Sequence, residues 1–492
     1  EFVRHRRTLA AQPERVNFNT TAAPNHRAVL CHCRRGLAAD MVAGVLAALK
    51  KWLRRLLLRG AVLDWWVARR GKQWETAYVG ELVRGAATPL APIAPPRRTS
   101  PTDQLRNILL IADCMWEQND LVPEFKKIAP TQLLNLRPLL KGTAPGPQQS
   151  AVVAEAVRAY GRDTSQPLPD VILFYARPGL LSEEVFHALR QRWSCPLLGM
   201  NLDDKLQFFP YGIFRSGDDN YQQWAKQFDL NITNCLPATD WYRQRGLSCI
   251  YSPQGVYRPA GMQAPSSADF KYEFSFLGSI KPERKLIVER LGQAGININL
   301  FGAGWPNTQW VDDPNAVFRG TQINLGIGFA SPSLSLTTVK GRDFECVGVG
   351  ACYLTTYNWE LPLHYELGKE ILCYRSIEEL VEMYSYYRRR PDECLKIAQA
   401  AWRRCTAEHT WELRFRRIFR EVGFRVCTRR SLASTNPFAG DHAAIRRVES
   451  HVVRQQAAHS LETAEHLQNE ILECGPILLP HPKIKRPNVT TH

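Results

Sequence analysis

The stretch Phe274-Ser275-Phe276-Leu277-Gly278-Ser279-Ile280-Lys281-Pro282-Glu283-Arg284-Lys285 decides the fold. Its first four residues read as a short buried strand, and Gly278-Ser279 ends it. The spacing predicts a helix over 283–293. A strand, a glycine turn and a helix in succession form the unit of a parallel α/β sheet. Glycine lets backbone amides come close to an anion, and a helix N-terminus adds a positive field. Lys281, Arg284 and Lys285 add full charges, so a diphosphate suits this corner. A plain strand-to-helix turn carrying solvated bases is the other reading, and these residues alone leave both open.

The pattern repeats on either side. Toward the C-terminus, a strand over 296–301 ends in Gly302-Ala303-Gly304. Further strands fall at 323–325 and 352–355, with helices over 377–388, 391–405 and 411–422. Toward the N-terminus, 108–112, 171–175, 196–200, 230–233 and 249–251 are short apolar runs. Helical stretches at 122–128, 151–160 and 182–193 separate them. Uniformly apolar strands alternating with helices imply parallel sheets covered on both faces. Two consecutive Rossmann-like units follow, and a ligand belongs in the crevice at their strand carboxyl ends.

Three further segments carry candidate chemistry. In Lys340-Gly341-Arg342-Asp343-Phe344-Glu345, a helix beginning at Arg342 places Arg342 and Glu345 on one face. Glu345 could accept hydrogen bonds from two vicinal ribose hydroxyls, and the rigid fork of Arg342 could grip phosphate. The bland alternative is an exposed Arg–Glu pair satisfying itself. Asp203-Asp204 follows the third strand of the first unit. A carboxylate there faces the crevice as an acceptor ligand or general base, or else caps the next helix. Asp312-Asp313 before Pro314 reads as a turn rather than a metal site. Thr410 reads as a helix cap, with His409 structural.

Bulk properties bound the rest. At 492 residues the chain is too long for one core and divides into two or three domains. With 45% hydrophobic and 22% charged residues, the long disordered class is excluded for most of it. The net charge of +16 is concentrated at the start, where residues 1–105 hold 18 Lys and Arg against 7 Asp and Glu. Such a basic head could meet anionic lipid or nucleic acid, or be a solvated extension. Within it Val42, Val45, Leu49, Trp52, Leu53, Leu56, Leu63 and Trp66 recur at helical spacing. That basic amphipathic helix could touch a membrane surface through 41–70, or dock on the protein's own body. A Pro-rich linker over 86–101 follows. Residues 430–492 read as a polar tail holding one helix over 443–472. The 13 cysteines form no CxxC pair, which fits a reducing, cytoplasmic setting better than a disulfide scaffold. Cys31-His32-Cys33 lacks the second half of a zinc site. No run of 18 apolar residues is present, so no spanning helix is expected. The expected division is a basic extension over 1–104, an acceptor domain over 105–265, a donor domain over 266–429 and the tail over 430–492.

Taken together, FSFLGS (274–279), Arg284, FGAGW (301–305), QINL (322–325), KGRDFE (340–345), GKE (368–370) and EHT (408–410) resemble the CgeB/YkvP-like glycosyltransferases. That family is of the group 1 type with the GT-B fold. Asp203-Asp204 and FDLNITNCLPATDWY (228–242) resemble its first domain. The likeness runs from about 105 to 424 and is strongest after 274.

The resemblance implies two Rossmann-like domains facing across a cleft, here with a basic helical N-terminal extension. It implies transfer of a sugar from a nucleotide-diphosphate donor to a glycan, protein or small-molecule acceptor that it does not identify. By that analogy Glu345 contacts the ribose, Arg342 and Lys340 the phosphates, and Gly278 with Arg284 the diphosphate corner. Ser279, Lys281, Gly302 and Gly304 belong to the same donor site, with Asp203 and Asp204 on the acceptor side. No metal and no cofactor beyond the donor is expected, because basic side chains and a helix end can stabilise the leaving diphosphate. No specific nucleic acid is expected as a partner. The implied setting is cytoplasmic, with peripheral contact at the inner membrane face as the alternative for the head. One departure stands out. Group 1 transferases carry another Glu eight positions before the ribose Glu, and here that position is Thr337. A catalytically inactive GT-B module in surface or coat assembly therefore remains an alternative, as does a membrane-surface or nucleic-acid adaptor working through the basic head.

Overall fold

The computed structural model describes residues 68–69, 71–73, 104–113, 117–175, 177–209, 220–258, 261–306, 311–330, 333–334 and 336–426. The basic amphipathic helix, Cys31-His32-Cys33, the Pro-rich linker and the polar tail lie outside these residues.

The first lobe is a six-stranded sheet. Strands β1 (Ile108–Ala112), β2 (Thr131–Asn135), β3 (Val171–Tyr175), β4 (Leu197–Asn201), β5 (Leu230–Thr233) and β6 (Cys249–Tyr251) lie in the order β2-β1-β3-β4-β5-β6. Every pair is parallel, with Ile108 opposite Val171 and Leu198 opposite Leu230. Helices α1 (Glu117–Lys126), α2 (Pro147–Arg162) and α3 (Glu183–Arg192) connect the first strands, and the short α4 (Asp204–Gln207) and α5 (Ala238–Arg243) follow β4 and β5. Sequence reading missed β2. It is an edge strand whose five residues are all half-buried, so TQLLN shows neither a solid apolar run nor clean alternation.

The second lobe begins at β7 (Tyr272–Leu277) and continues through α6 (Pro282–Gln293), β8 (Asn299–Phe301), α7 (Pro314–Arg319), β9 (Thr321–Leu325), α8 (Arg342–Gly348), β10 (Tyr353–Thr356) and β11 (Leu372–Tyr374). Helices α9 (Ile377–Tyr387), α10 (Pro391–Glu408) and α11 (Trp411–Glu421) complete it in sequence. The sheet order is β11-β10-β9-β7-β8, again all parallel. The other missed strand, β11, is also an edge strand and only three residues long. Both sheets carry the doubly wound order with its switch point beside the first strand, so the chain has the GT-B architecture of two Rossmann-like lobes.

The C-terminal boundary of the donor domain needs correction. Trp411, Phe415, Ile418, Phe419, Val422 and Phe424 are packed into the core of the first lobe with Leu110, Phe125 and Leu173. Phe125 meets Phe415 edge-to-face at 4.4 Å. The buried Glu124 carboxylate accepts the backbone N–H of Glu412 at 3.0 Å, placing negative charge on an exposed row of amides at the start of α11. Thr410 caps that helix by accepting from Leu413 N at 3.3 Å. Residues 411–424 therefore belong to the first lobe, because their apolar stripe finds its partner there.

Candidate functional site

The carboxyl ends of the two sheets face each other. Lys205, after β4, reaches the Thr337 carbonyl at 2.9 Å and the Glu360 carboxylate at 3.1 Å. Glu360, after β10, also accepts from the backbone of Leu236, after β5, at 3.0 Å. Asn234 Nδ2 donates to the Val339 carbonyl at 3.4 Å. The side chains of Lys205 and Glu360 are 3% and 0% exposed, so this inter-lobe ion pair is buried.

The corner at Gly278 is built by two touching loops. Gly278 N–H donates to Phe301 O at 2.8 Å, and Ile280 N–H to Ala303 O at 2.9 Å. Trp305 Nε1 donates to Gly278 O at 2.7 Å. Gly302 has a φ of 111°, and a Cβ there would lie 2.7 Å from the Gly278 carbonyl. Gly304 has a φ of 93°, and its Cβ would lie 2.4 Å from an Ile280 methyl. Both positions are in the left-handed region that favours glycine. The close approach of the loops thus accounts for Gly302 and Gly304, which shape the corner from behind. Ser279 is exposed, and its carbonyl accepts from Arg284 at 2.8 Å. The Arg284 guanidinium lies over the Phe276 ring at 5.6 Å, which turns it back toward Gly278.

Four cations converge. The electrostatic neighbours of Lys340 include Asp203, Lys281 and Arg284. Arg284 in turn feels Arg342. Burial, followed by the neighbouring Lys281 and Arg284, brings the Lys340 ammonium down to about 8, against the pull of Asp203. Burial and then Arg342 lower Arg284 as well. The Nε atoms of Arg284 and Arg342 are buried without a hydrogen-bond partner. Among the described residues none of Lys281, Arg284, Lys340 and Arg342 has a carboxylate within salt-bridge reach. A concentration of positive charge held partly out of water favours a negatively charged neighbour. Lys285, by contrast, pairs with Glu289 at 2.8 Å on its own helix and is not part of this group.

Glu345 sits on α8 one turn from Arg342, which faces it electrostatically. Burial raises its carboxyl above the usual range, and Arg342 opposes that. No protein group among the described residues donates a hydrogen bond to it. The self-satisfied Arg–Glu pair is therefore not formed: no ion pair links Arg342 and Glu345.

The two acceptor-side carboxylates separate. Asp203 is exposed at the start of α4 and makes no side-chain cap. Asp204 is fully buried, and accepts from Asn201 Nδ2 at 2.6 Å and from Tyr242 Oη at 3.1 Å. Burial first of all pushes its carboxyl up to about 7. As an acceptor ligand Asp204 is corrected by its position, because its oxygens are spent inside the first lobe. His409 is structural. Its Nε2 meets the His364 carbonyl at 3.0 Å, and burial, aided by Arg414, holds its ring neutral with a pKa near 3. Asp313 caps α7, accepting from Asn315 N at 3.0 Å and Ala316 N at 3.3 Å. No cluster of three or more His, Cys, Asp and Glu among the described residues could hold a metal ion, and no described helix is long and apolar enough to cross a membrane.

Sequence reading missed several groups at this rim. Asn234 Oδ1, Gln254 Oε1, Asn358 Nδ2 and Trp359 Nε1 are all buried without a partner. Lys205 was adjacent to a motif already singled out. Nothing in the sequence pointed to Glu360 or Gln254, whose neighbours lie in another part of the chain.

Comparison with known proteins matches residues 284–420 to a family described as glycosyl transferase-like. No curated protein matches. Among solved structures, the sucrose-phosphate synthase of Thermosynechococcus elongatus is similar at 12% identity and a TM-score of 0.45, covering 64% of this chain and 99% of its own. Anabaena HepE, solved with UDP and glucose, is similar at 12% identity and a TM-score of 0.43, covering 64% and 98%. A UDP-N-acetylglucosamine 2-epimerase is similar at 13% identity and a TM-score of 0.41, covering 66% and 100%. The CgeB-like subfamily is not singled out by these matches. Residues 284–420, from the helix that carries Arg284 to the one that packs on the first lobe, are thus similar to a glycosyl transferase-like family.

Proposed function

We propose that the chain is a glycosyltransferase that takes its sugar from a nucleoside diphosphate donor bound at the second lobe. The observation that carries this reading is the convergence of Lys281, Arg284, Lys340 and Arg342, with no carboxylate paired to any of them, beside the unpaired Glu345. A diphosphate supplies the missing negative charge, and a ribose diol supplies donors to Glu345. In the reaction the bond from the sugar C1 to the phosphate oxygen breaks and the diphosphate leaves with its electron pair. The four cations would stabilise that developing charge, which in a partly dry site counts for more than in water. The acceptor hydroxyl forms the new bond to C1 and loses a proton. Asp203 is the exposed carboxylate on the facing lobe and is the group suited to take it, with Lys340 beside it.

One observation favours a second reading. Thr337 stands where group 1 transferases hold a sugar-contacting Glu, and its carbonyl is engaged by Lys205. Glu360, the nearby carboxylate, is fully buried in its ion pair and cannot substitute for that Glu. A nucleotide-binding module without transfer would have these features. Thermal shift with UDP, GDP and dTDP tests the site. A ligand at 100 times its Kd adds about 2.7 kcal/mol of stability by mass action. If none raises Tm, the donor-site reading fails. Stabilisation without release of sugar from any UDP- or GDP-sugar, with or without acceptor, would select the silent module.

A further inference from the structure

The segment that joins the lobes, between β6 and β7, brings Gln254 to Glu345. A Cβ placed on Gly341 would lie 2.8 Å from Glu345 Oε1 and 2.9 Å from Gln254 Oε1. The two side-chain ends thus border the same space over the bare Cα of Gly341, one arriving from α8 and one from the inter-lobe segment. Gln254 Oε1 is buried and has no hydrogen-bond partner. Among the described residues Glu345 receives no hydrogen-bond donor, and Arg342 opposes the effect of its burial electrostatically. Two acceptors bordering one partly dry space, neither with a donor, are an unfavourable arrangement. Half a turn about the last bond of the Gln254 side chain exchanges Oε1 for Nε2 with no change of shape. It turns a donor rather than an acceptor toward the space that the Glu345 carboxylate borders and removes the orphaned acceptor.

We propose that Gln254 is a positioning residue for Glu345, its amide fixing the carboxylate so that it reads the ribose diol of the donor. This rests on the donor site proposed above. It adds that nucleoside recognition in the second lobe depends on a residue of the segment leading in from the first lobe. That segment is anchored, since Val256 N–H donates to the His409 carbonyl at 2.9 Å. A carboxylate free to rotate can accept one hydroxyl at a time, whereas one held in plane can accept both hydroxyls of a vicinal pair. Discrimination between ribose and 2′-deoxyribose is therefore the property that Gln254 controls, because a site built around a hydroxyl rejects an analogue lacking it.

The test uses the full chain and compares UDP, GDP and ADP with their 2′-deoxy counterparts and with inorganic pyrophosphate, by titration calorimetry. The wild type should bind the best ribonucleotide at least tenfold more tightly than its deoxy form. Gln254→Met keeps the shape and removes the amide. It should bring that ratio to within twofold while leaving pyrophosphate affinity unchanged. Gln254→Glu, which sets two carboxylates against each other, should also lose the ratio. A Gln254→Met protein that binds ribonucleotides and keeps the wild-type ratio overturns the positioning role alone. A uniform loss across all ligands, pyrophosphate included, also overturns it, since that is what a packing defect would produce. If the wild type binds no nucleoside diphosphate, the donor site itself falls, and this inference with it.

Discussion

Replacing Lys205 by Met should be among the most damaging conservative changes in the described part of the chain. The Lys205–Glu360 contact spans 3.1 Å with side-chain exposures of 3% and 0%. At an effective dielectric near 20, that separation corresponds to about 5 kcal/mol of attraction, offset by the desolvation of both ions. Burial alone would lower the Lys205 pKa, and the Glu360 carboxylate outweighs it and raises the group. Removing the ammonium leaves Glu360 buried with only hydrogen-bond donors such as Leu236 N for company. Breaking one side of such a pair costs roughly 3–5 kcal/mol, because the surviving charge is uncompensated. Lys205→Met combined with Glu360→Gln should regain most of that loss, since the amide oxygen still accepts from Leu236 while the stranded charge is gone. Urea denaturation of wild type, both single variants and the double variant forms the cycle that measures it. A loss below about 1 kcal/mol in Lys205→Met, or a double variant no more stable than the single, would refute the reasoning. Either result would mean that water reaches the junction and the lobes are not pinned there.

Arg342→Ala should weaken a nucleoside diphosphate at least tenfold, about 1.4 kcal/mol, while changing nucleoside affinity little; equal effects in calorimetry would remove it from the phosphate site. Gly302→Ala forces a side chain onto a φ of 111° and against the Gly278 carbonyl. It should cost roughly 1–3 kcal/mol in thermal denaturation and weaken diphosphate binding through the displaced loop, and a Tm within a degree of wild type would show that the loops are not in close contact. Asp204 gives a pH signature of known sign. Its folded-state pKa of about 7 lies above the unfolded carboxylate value, so the folded state holds the proton longer. Stability is fullest below about pH 4 and is lost as pH rises to about 7. Asp343, raised to about 6 chiefly by burial, acts in the same direction. Asp204→Asn should flatten that decline by on the order of 4 kcal/mol between pH 4 and 7. An unchanged slope in denaturation at the two pH values would show that Asp204 titrates as an ordinary exposed carboxylate.

The sequence by itself determined the class of fold. Strands such as Ile108–Ala112 and Val171–Tyr175 are buried on both faces, so their apolar runs are written plainly in the chain. The glycine loop at Gly278 and the Arg342–Glu345 spacing were legible for the same reason, since a turn and a helical face are local properties. The edge strands β2 and β11 were not, because half-exposed or three-residue segments leave no distinct pattern. Tertiary structure alone decided everything that depends on distant partners. It sent Asp204 inward to Asn201 and Tyr242 and left Asp203 at the surface, although the two are identical neighbours in sequence. It returned α11 to the first lobe, brought Lys205 to Glu360 across 155 positions and put the ends of Gln254 and Glu345 beside Gly341. Local propensity specifies which segments become strand or helix; which charge meets which is fixed only when the sheets are assembled and their carboxyl ends turned toward each other.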